Sequence, residues 1–252
     1  MRLGCDPEVF LMEQNRLKPV FGLVKADKWN PLQVEGLDKG FTWQEDNVAL
    51  EFGIPPADTR EKFVEYVKKV QQSFLNKHSH LTFCKLSCVI FPKELLDGEP
   101  QAFMFGCEPD FNAWTEKENP KPKPASKYMR AAGGHIHVET DLDKNKVVQA
   151  MDFFLGIPSL LMDENPLRRK MYGKAGAHRP KSYGVEYRTL SNFWIFEDKY
   201  IKWVWDNTQR ALDAVASRKD YSCSGEHIQR VINSNNKDDA EIIVHAFDLE
   251  VV

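Results

Sequence analysis

The sequence predicts an α+β fold, an antiparallel sheet with helices over one face. Three observations predict it. Apolar residues in the strand-like stretches alternate with a period of two, as in half-buried antiparallel strands, rather than running apolar throughout. Helix-like stretches interrupt them without a regular strand–helix–strand rhythm. A chain of 252 residues, 42% apolar and 28% charged, is globular in composition and long enough to bury a substantial core.

Taken in order, Leu3 to Met12 reads as a strand and Pro19 to Val24 as a short second one. Residues 25–45, polar and glycine-containing, read as loop. Asn47 to Phe52 alternates cleanly, and Pro55-Pro56 ends that strand. Asp58 or Thr59 then caps a helix running to about Asn76, with Phe63, Val67, Val70 and Phe74 on its buried face. Strands are expected over Leu81–Phe91 and Gln101–Cys107. Residues 117–127, rich in Pro and Lys, read as a solvated loop or as a lid whose lysines reach anionic ligands. Ala132 to Thr140 is a strand, and Asp143 opens a helix with Val147, Met151, Phe154, Leu155 and Leu161 inward, kinked by Pro158. Residues 168–182 hold Arg168, Arg169, Lys170, Lys174, Arg179 and Lys181, the densest positive charge in the chain. Tyr183 to Thr189 is another strand, Phe196 to Ala216 a Trp-rich helix, and two shorter helices finish the chain. The whole is expected to form one catalytic domain, with a helical extension from about residue 197.

Charge and cysteine usage exclude several classes. Thirty-four basic against thirty-seven acidic residues leave a net charge of −3, too little for a global field that would hold a long nucleic acid. No apolar run reaches the length of a membrane span, and the acidic residue at position 6 is foreign to a secretory leader, so a cytoplasmic location is expected. Five cysteines, odd in number and without a CxxC pair, exclude an even disulfide framework and weigh against a thiolate zinc site. No P-loop, GxGxxG or GxSxG sequence is present.

The alternation also predicts a site. Side chains at i and i+2 share a strand face. Leu3, Cys5, Val9 and Leu11 oppose Asp6 and Glu8; Val48, Leu50 and Phe52 oppose Asn47 and Glu51. Ile136 and Val138 oppose His135, His137 and Glu139; Tyr183, Val185 and Tyr187 oppose Glu186 and Arg188. If the four strands share one sheet, its open face gathers Asp6, Glu8, Glu51, His135, His137, Glu186 and Arg188. Clustered carboxylates repel one another unless cations neutralise them, and oxygen ligands with one or two imidazoles suit Mg²⁺ or Mn²⁺ better than Zn²⁺. Pro7 lacks an N–H and belongs at a strand start, bulge or edge, which puts Asp6-Pro7-Glu8 at a sheet rim. The arginines near the last strand are suited to a bidentate grip on phosphate or carboxylate. The small net charge then reads as two opposed local fields.

Together these motifs resemble the catalytic domain of glutamine synthetase. Asp6-Pro7-Glu8 resembles its acid–x–acid strand, Gly133-Gly134-His135-Ile136-His137 its GxHxH strand and Gly184-Val185-Glu186-Tyr187-Arg188 its late ExR strand. More closely, GCDPEVF, EDNVALEFGIPPA, FGCEPDFNAW, RAAGGHIHV and YGKAGAHRPKSYGVEYRTLSNFW, in that order over residues 2–196, resemble the phage-type carboxylate–amine ligases of the same superfamily. Asp6 stands where the wider superfamily often has Glu, and no counterpart is expected for the N-terminal domain that completes the glutamine synthetase site between subunits. The resemblance implies a metal and ATP site on the open sheet face and amide formation through an acyl phosphate. It implies one Mg²⁺ or Mn²⁺ on Glu8 and Glu51 with help from Asp46, and another on Asp6, His135 and Glu186. It places His137 against ATP phosphate, and Arg188, Arg179 and more weakly Arg169 against the γ-phosphate or acyl phosphate. Glu108 and Asp110 repeat the acid–x–acid spacing and are expected to meet the amine. The substrates, small molecules or peptides, are not specified by the sequence, and neither is the oligomeric state.

Overall fold

The computed structural model describes residues 1–103, 109–120, 125–218 and 223–252, without the side chain of Lys170. Its strands are Arg2–Cys5 (β1), Glu8–Glu13 (β2), Arg16–Lys18 (β3), Leu32–Gln33 (β4), Thr42–Asp46 (β5), Ala49–Gly53 (β6), Leu81–Cys84 (β7), Cys88–Ile90 (β8), Phe111–Asn112 (β9), Lys117–Glu118 (β10), Met129–Ala131 (β11), Ile136–Glu139 (β12), Ala177–Lys181 (β13) and Gly184–Tyr187 (β14). The α-helices are Arg60–Lys77 (α1), Lys93–Leu96 (α2), Lys144–Met151 (α3), Ile157–Met162 (α4), Asp198–Ala216 (α5), Gly225–Ser234 (α6) and Lys237–Phe247 (α7). The expected α+β class holds, and all strand pairings are antiparallel.

The expectation of one sheet does not hold. One six-stranded sheet runs β1-β12-β14-β13-β9-β10, a second runs β3-β2-β6-β5-β4 with β7 also on β2, and β8 pairs with β11 apart from both. The break falls at Asp6-Pro7. Without an N–H, Pro7 cannot extend the ladder. The chain leaves β12 there: Asp6 N–H reaches the His135 carbonyl at 3.4 Å, Glu8 N–H donates to the Gly133 carbonyl at 2.9 Å, and Phe52 N–H donates to the Pro7 carbonyl at 3.1 Å. The predicted strand therefore becomes β1 in one sheet and β2 in the other, and the two sheets meet at the acidic residues.

The alternation still sorts the faces. Leu3, Cys5, Val9, Leu11, Leu50, Phe52, Ile136, Val138, Val185 and Tyr187 all enter one core with residues of α1 and α3–α7. Helix α1 forms as predicted, Thr59 accepting from Lys62 N–H and Phe63, Val67, Val70 and Phe74 buried. Phe63 stacks on Trp194 with 5.9 Å between ring centroids. Val48 is a correction: it turns with Phe10 and Ala49 into a separate small core under α2.

Other boundaries moved for local reasons. Residues 19–24 form no strand; β3 lies just before them, closed on β2 through Gln14 and Asn15, both in the left-handed region that a two-residue hairpin needs. The predicted loop 25–45 contains β4 and most of β5. Leu81–Phe91 splits into β7 and β8. Pro100–Phe103 is a 3-10 turn where a strand was expected, and 104–107 lie outside the described residues, as do 121–124 of the Pro/Lys-rich stretch. Asp143 caps its helix as predicted, but the helix runs through a π-turn, Asp152–Gly156, before α4. Pro158 has no N–H for the Phe154 carbonyl, and the wider turn, closed by Ile157 N–H on the Asp152 carbonyl, accommodates that loss. No helix among the described residues is long and apolar enough to cross a membrane. Cys5, Cys84, Cys88 and Cys223 are free thiols.

Candidate metal and phosphate site

Where the sheets meet, six ligand-type residues fall into two groups. Asp6, His137 and Glu186 each offer a ligand atom within 4.8 Å of the others, and so do Glu8, Asp46 and Glu51. Backbone register explains both. Gly4 pairs with His137 and Cys5 with Ile136 across β1 and β12, and His137 with Glu186 across β12 and β14, so Asp6, just beyond β1, comes opposite His135 and within reach of both imidazoles. Glu8 pairs directly with Glu51 across β2 and β6, and Asp46 ends the neighbouring strand.

The first group is crowded with positive charge. Glu186 is fully buried, with Lys181 Nζ 2.7 Å from Oε2, Arg179 3.5 Å from Oε1, and Arg188 in close contact with Oε1. Burial and Asp6 favour its protonation, but Arg188, His135 and His137 outweigh them and bring its carboxyl down to about 2. Burial works the same way on Asp6, and His137 with His135 outweighs it, holding that carboxyl well below the carboxylate range. His137 Nε2 lies 3.1 Å from Asp6 Oδ1. Those two buried atoms are not aligned for a hydrogen bond, and neither has another hydrogen-bond partner.

Buried His135 stands behind this group, 3.4 Å from Asp6 and accepting from Arg188 at 3.2 Å. Burial, then the Arg188 charge, pushes its imidazole down to about 4, so it is neutral at pH 7. Gly133 makes room for it, since a Cβ there would lie 2.2 Å from the ring Nε2. His137 groups with Asp6 and Glu186, and the expected His135 also lies close, its Nδ1 3.9 Å from Glu186 Oε1.

The second group is all carboxylate. Glu8 accepts from Gly133 N–H at 2.8 Å. Loss of water around Glu8, then the Asp46 charge, pushes its carboxyl up to about 7, with Gly133, Arg188 and Arg168 pulling the other way. Burial, then Asp6, Asp46 and Glu8, pushes Glu51 well above its ordinary value.

The donor sets fit divalent cations. Both consist of hard oxygens, with one imidazole in the first. Octahedral ligands about 2.1 Å from a shared ion stand about 3 Å apart, and the unpartnered Asp6–His137 pair has that separation. Burial and mutual repulsion push the carboxylates of the second group towards protonation against the pull of nearby arginines, and a cation would offset both.

The arginines divide. Arg188 and Arg179 face the site, and Asp110 lies 3.7 Å from Arg188 Nε. Arg169 does not reach it: buried, it donates to Ser159 Oγ at 2.7 Å. Arg168 is buried too and braces the Thr189 and Arg188 carbonyls. Glu108 lies outside the described residues. Two neighbours escaped the sequence reading. Lys181, counted in the sequence only as part of the basic stretch, shares a β13 face with Arg179. Tyr183, assigned to the apolar face, is exposed at the turn before β14, its hydroxyl 2.9 Å from His137 Nδ1.

No curated protein matches the chain. Residues 122–234, a little under half of it, include the His135–His137 and Glu186–Arg188 strands but not those of Asp6, Glu8 and Glu51. This segment matches the family model described as Phage phiEco32-like COOH.NH2 ligase-type 2, the kind of ligase whose motifs the sequence resembles.

Proposed function

We propose that the chain is an ATP-dependent carboxylate–amine ligase working through an acyl phosphate. The matched family is described as a ligase of carboxyl and amino groups, which supports formation of a carbon–nitrogen bond. The observation that carries the finer reading is the pair of three-ligand groups flanking Asp6-Pro7-Glu8, with Arg179, Lys181 and Arg188 on the Glu186 side.

Phosphoryl transfer needs positioning and charge neutralisation more than covalent help. In the first step, a carboxylate oxygen of the acyl substrate attacks the γ-phosphorus of ATP. The bond to the β–γ bridging oxygen breaks, and ADP leaves with that electron pair. In the second, the amine nitrogen attacks the acyl carbon, the carbon–oxygen bond to phosphate breaks, and the nitrogen gives up a proton as phosphate departs. Asp6, His137 and Glu186 would hold one cation and Glu8, Asp46 and Glu51 another. Mg²⁺ or Mn²⁺ bound there would supply charge neutralisation at phosphate oxygens. Arg188 and Arg179 supply planar donors to the transferred phosphoryl group. Each now contacts Glu186, and with that carboxylate engaged by a cation both would be available to phosphate. His135, neutral, keeps Arg188 in place by accepting its hydrogen bond at Nδ1.

The test is ADP release by the full chain with Mg²⁺ and ATP, across pairs of amino-acid or peptide carboxylates and amines, with the product weighed by mass spectrometry. ADP formed only when both partners are present, with a product heavier by the amide condensation, supports the reading. ATP hydrolysis that ignores the acceptor makes the site a phosphohydrolase and overturns it.

A further inference from the structure

Asp152 belongs to no motif above. It is fully buried, at the start of the π-turn, on the side of the sheet away from the carboxylates. Its Oδ2 accepts from Trp114 Nε1 and from Gly176 N–H, both at 2.6 Å. Its Oδ1 accepts from the Tyr187 hydroxyl at 2.9 Å and from Thr189 Oγ1 at 3.1 Å. A buried charge is costly unless fully partnered, and here four donors converge on it. Burial pushes its carboxyl up to about 6, with Trp114, Tyr187, Gly176 and Thr189 opposing.

These partners share a property: each is tied to a residue of the basic half of the site. Tyr187 sits between Glu186 and Arg188 on β14 and points the opposite way. Gly176 leads into β13, whose Ala177 carbonyl accepts from Arg188 N–H at 2.9 Å and which carries Arg179 and Lys181. Its left-handed backbone (φ 77°) and the 2.7 Å that a Cβ would leave to Trp114 both require glycine. Trp114 and Asn112 close the turn after Asp110, the Arg188 neighbour. The Glu8–Asp46–Glu51 group sits on the other sheet, and no Asp152 hydrogen bond reaches it.

We infer that Asp152 is a positioning residue that sets Glu186, Arg188 and Asp110 from beneath, and so tunes one cation site and leaves its neighbour alone. This rests on the two-cation reading above. Outer partners of metal ligands typically change metal affinity by about 10–100-fold.

The experiment is Mn²⁺ binding to the full chain by electron paramagnetic resonance, with Glu186→Gln and Glu51→Gln assigning the two sites. Asp152→Ala is expected to weaken the Glu186-dependent site by about 10–100-fold and the Glu51-dependent site by less than about twofold. Asp152→Asn is isosteric. It can keep its oxygen on Trp114 and Gly176 and turn its amino group to the hydroxyls, and is expected to recover most of that loss. Should Asp152→Ala fail to fold, Tyr187→Phe, which removes one tie, is expected to give a smaller loss at the same site. Equal weakening of both sites, or none at either, overturns the inference. If the wild-type chain binds no Mn²⁺, the two-cation reading fails, and amide hydrogen exchange of Tyr187→Phe decides Asp152 separately. Faster exchange confined to 110–115 and 176–189 supports its role, and uniform or absent change overturns it.

Discussion

The two acidic groups lie side by side yet face opposite electrostatic problems. Asp6 and Glu186 sit among two imidazoles, two arginines and a lysine, and are held ionised. Glu8 and Glu51 repel each other and Asp46 across adjacent strands, and both are pushed towards protonation. The same side-chain chemistry is thus self-neutralised on one sheet and in want of a counterion on the other. On the proposed reading, the first group would have partners to release on binding a cation and phosphates, and the second would gain most simply from the cation.

That contrast can be broken in steps. The largest effect is expected at Glu186, which holds three basic side chains together and is proposed to hold a cation. Glu186→Gln should lower the rate of ADP formation by at least about 100-fold, the upper range for loss of even an outer metal partner, while circular dichroism shows an intact fold. Arg188→Lys should cost about 100-fold in the same assay, because one ammonium cannot meet Glu186 and His135 as Nη1 does and also stand by Asp110 as Nε does. Arg169→Lys, away from the site on Ser159, should leave the rate within about threefold of wild type, as expected of a group that makes no contact with the transferred phosphate.

The sharpest contrast is a difference in sign. Without metal, Asp6→Asn removes a carboxylate stabilised by two imidazoles and should lower stability by about 1–3 kcal/mol. Glu51→Gln relieves a carboxylate repelled by its neighbours and should raise it by about 1 kcal/mol. Urea melts in excess chelator measure both. The smallest effect belongs to Thr59→Ala at the α1 cap, about 1 kcal/mol of stability with Mn²⁺ affinity unchanged.

How legible was this in the sequence? Face assignment followed from alternation: Leu3, Leu50, Ile136 and Val185 reach one core, and their polar neighbours reach one region. The Asp143 and Thr59 caps were readable because an Asp or Thr side chain satisfies a helix N-terminus locally. Sheet membership was not, because alternation fixes a side chain's face but not its strand's partner. Pro7 marked the break without telling that the chain would change sheets there. Nor does alternation separate His135 from His137: i and i+2 share a face, and Asp6 lies 3.4 Å from the first and 3.1 Å from the second. Charge density misled at Arg168 and Arg169, whose guanidiniums serve carbonyls and a buried hydroxyl. Asp152 carried a faint signal, a single acid within the apolar run Val147–Leu155, which marks a buried charge with partners.

The most direct test of the account is a crystal of the full chain grown with Mn²⁺ and a non-hydrolysable ATP analogue, with anomalous difference density used to locate the metal. Two peaks are predicted, one among Asp6, His137 and Glu186 and one among Glu8, Asp46 and Glu51, with Arg179 and Arg188 turned from Glu186 to the terminal phosphate. Metal and phosphates bound elsewhere, with Arg188 still closed on Glu186, would contradict it.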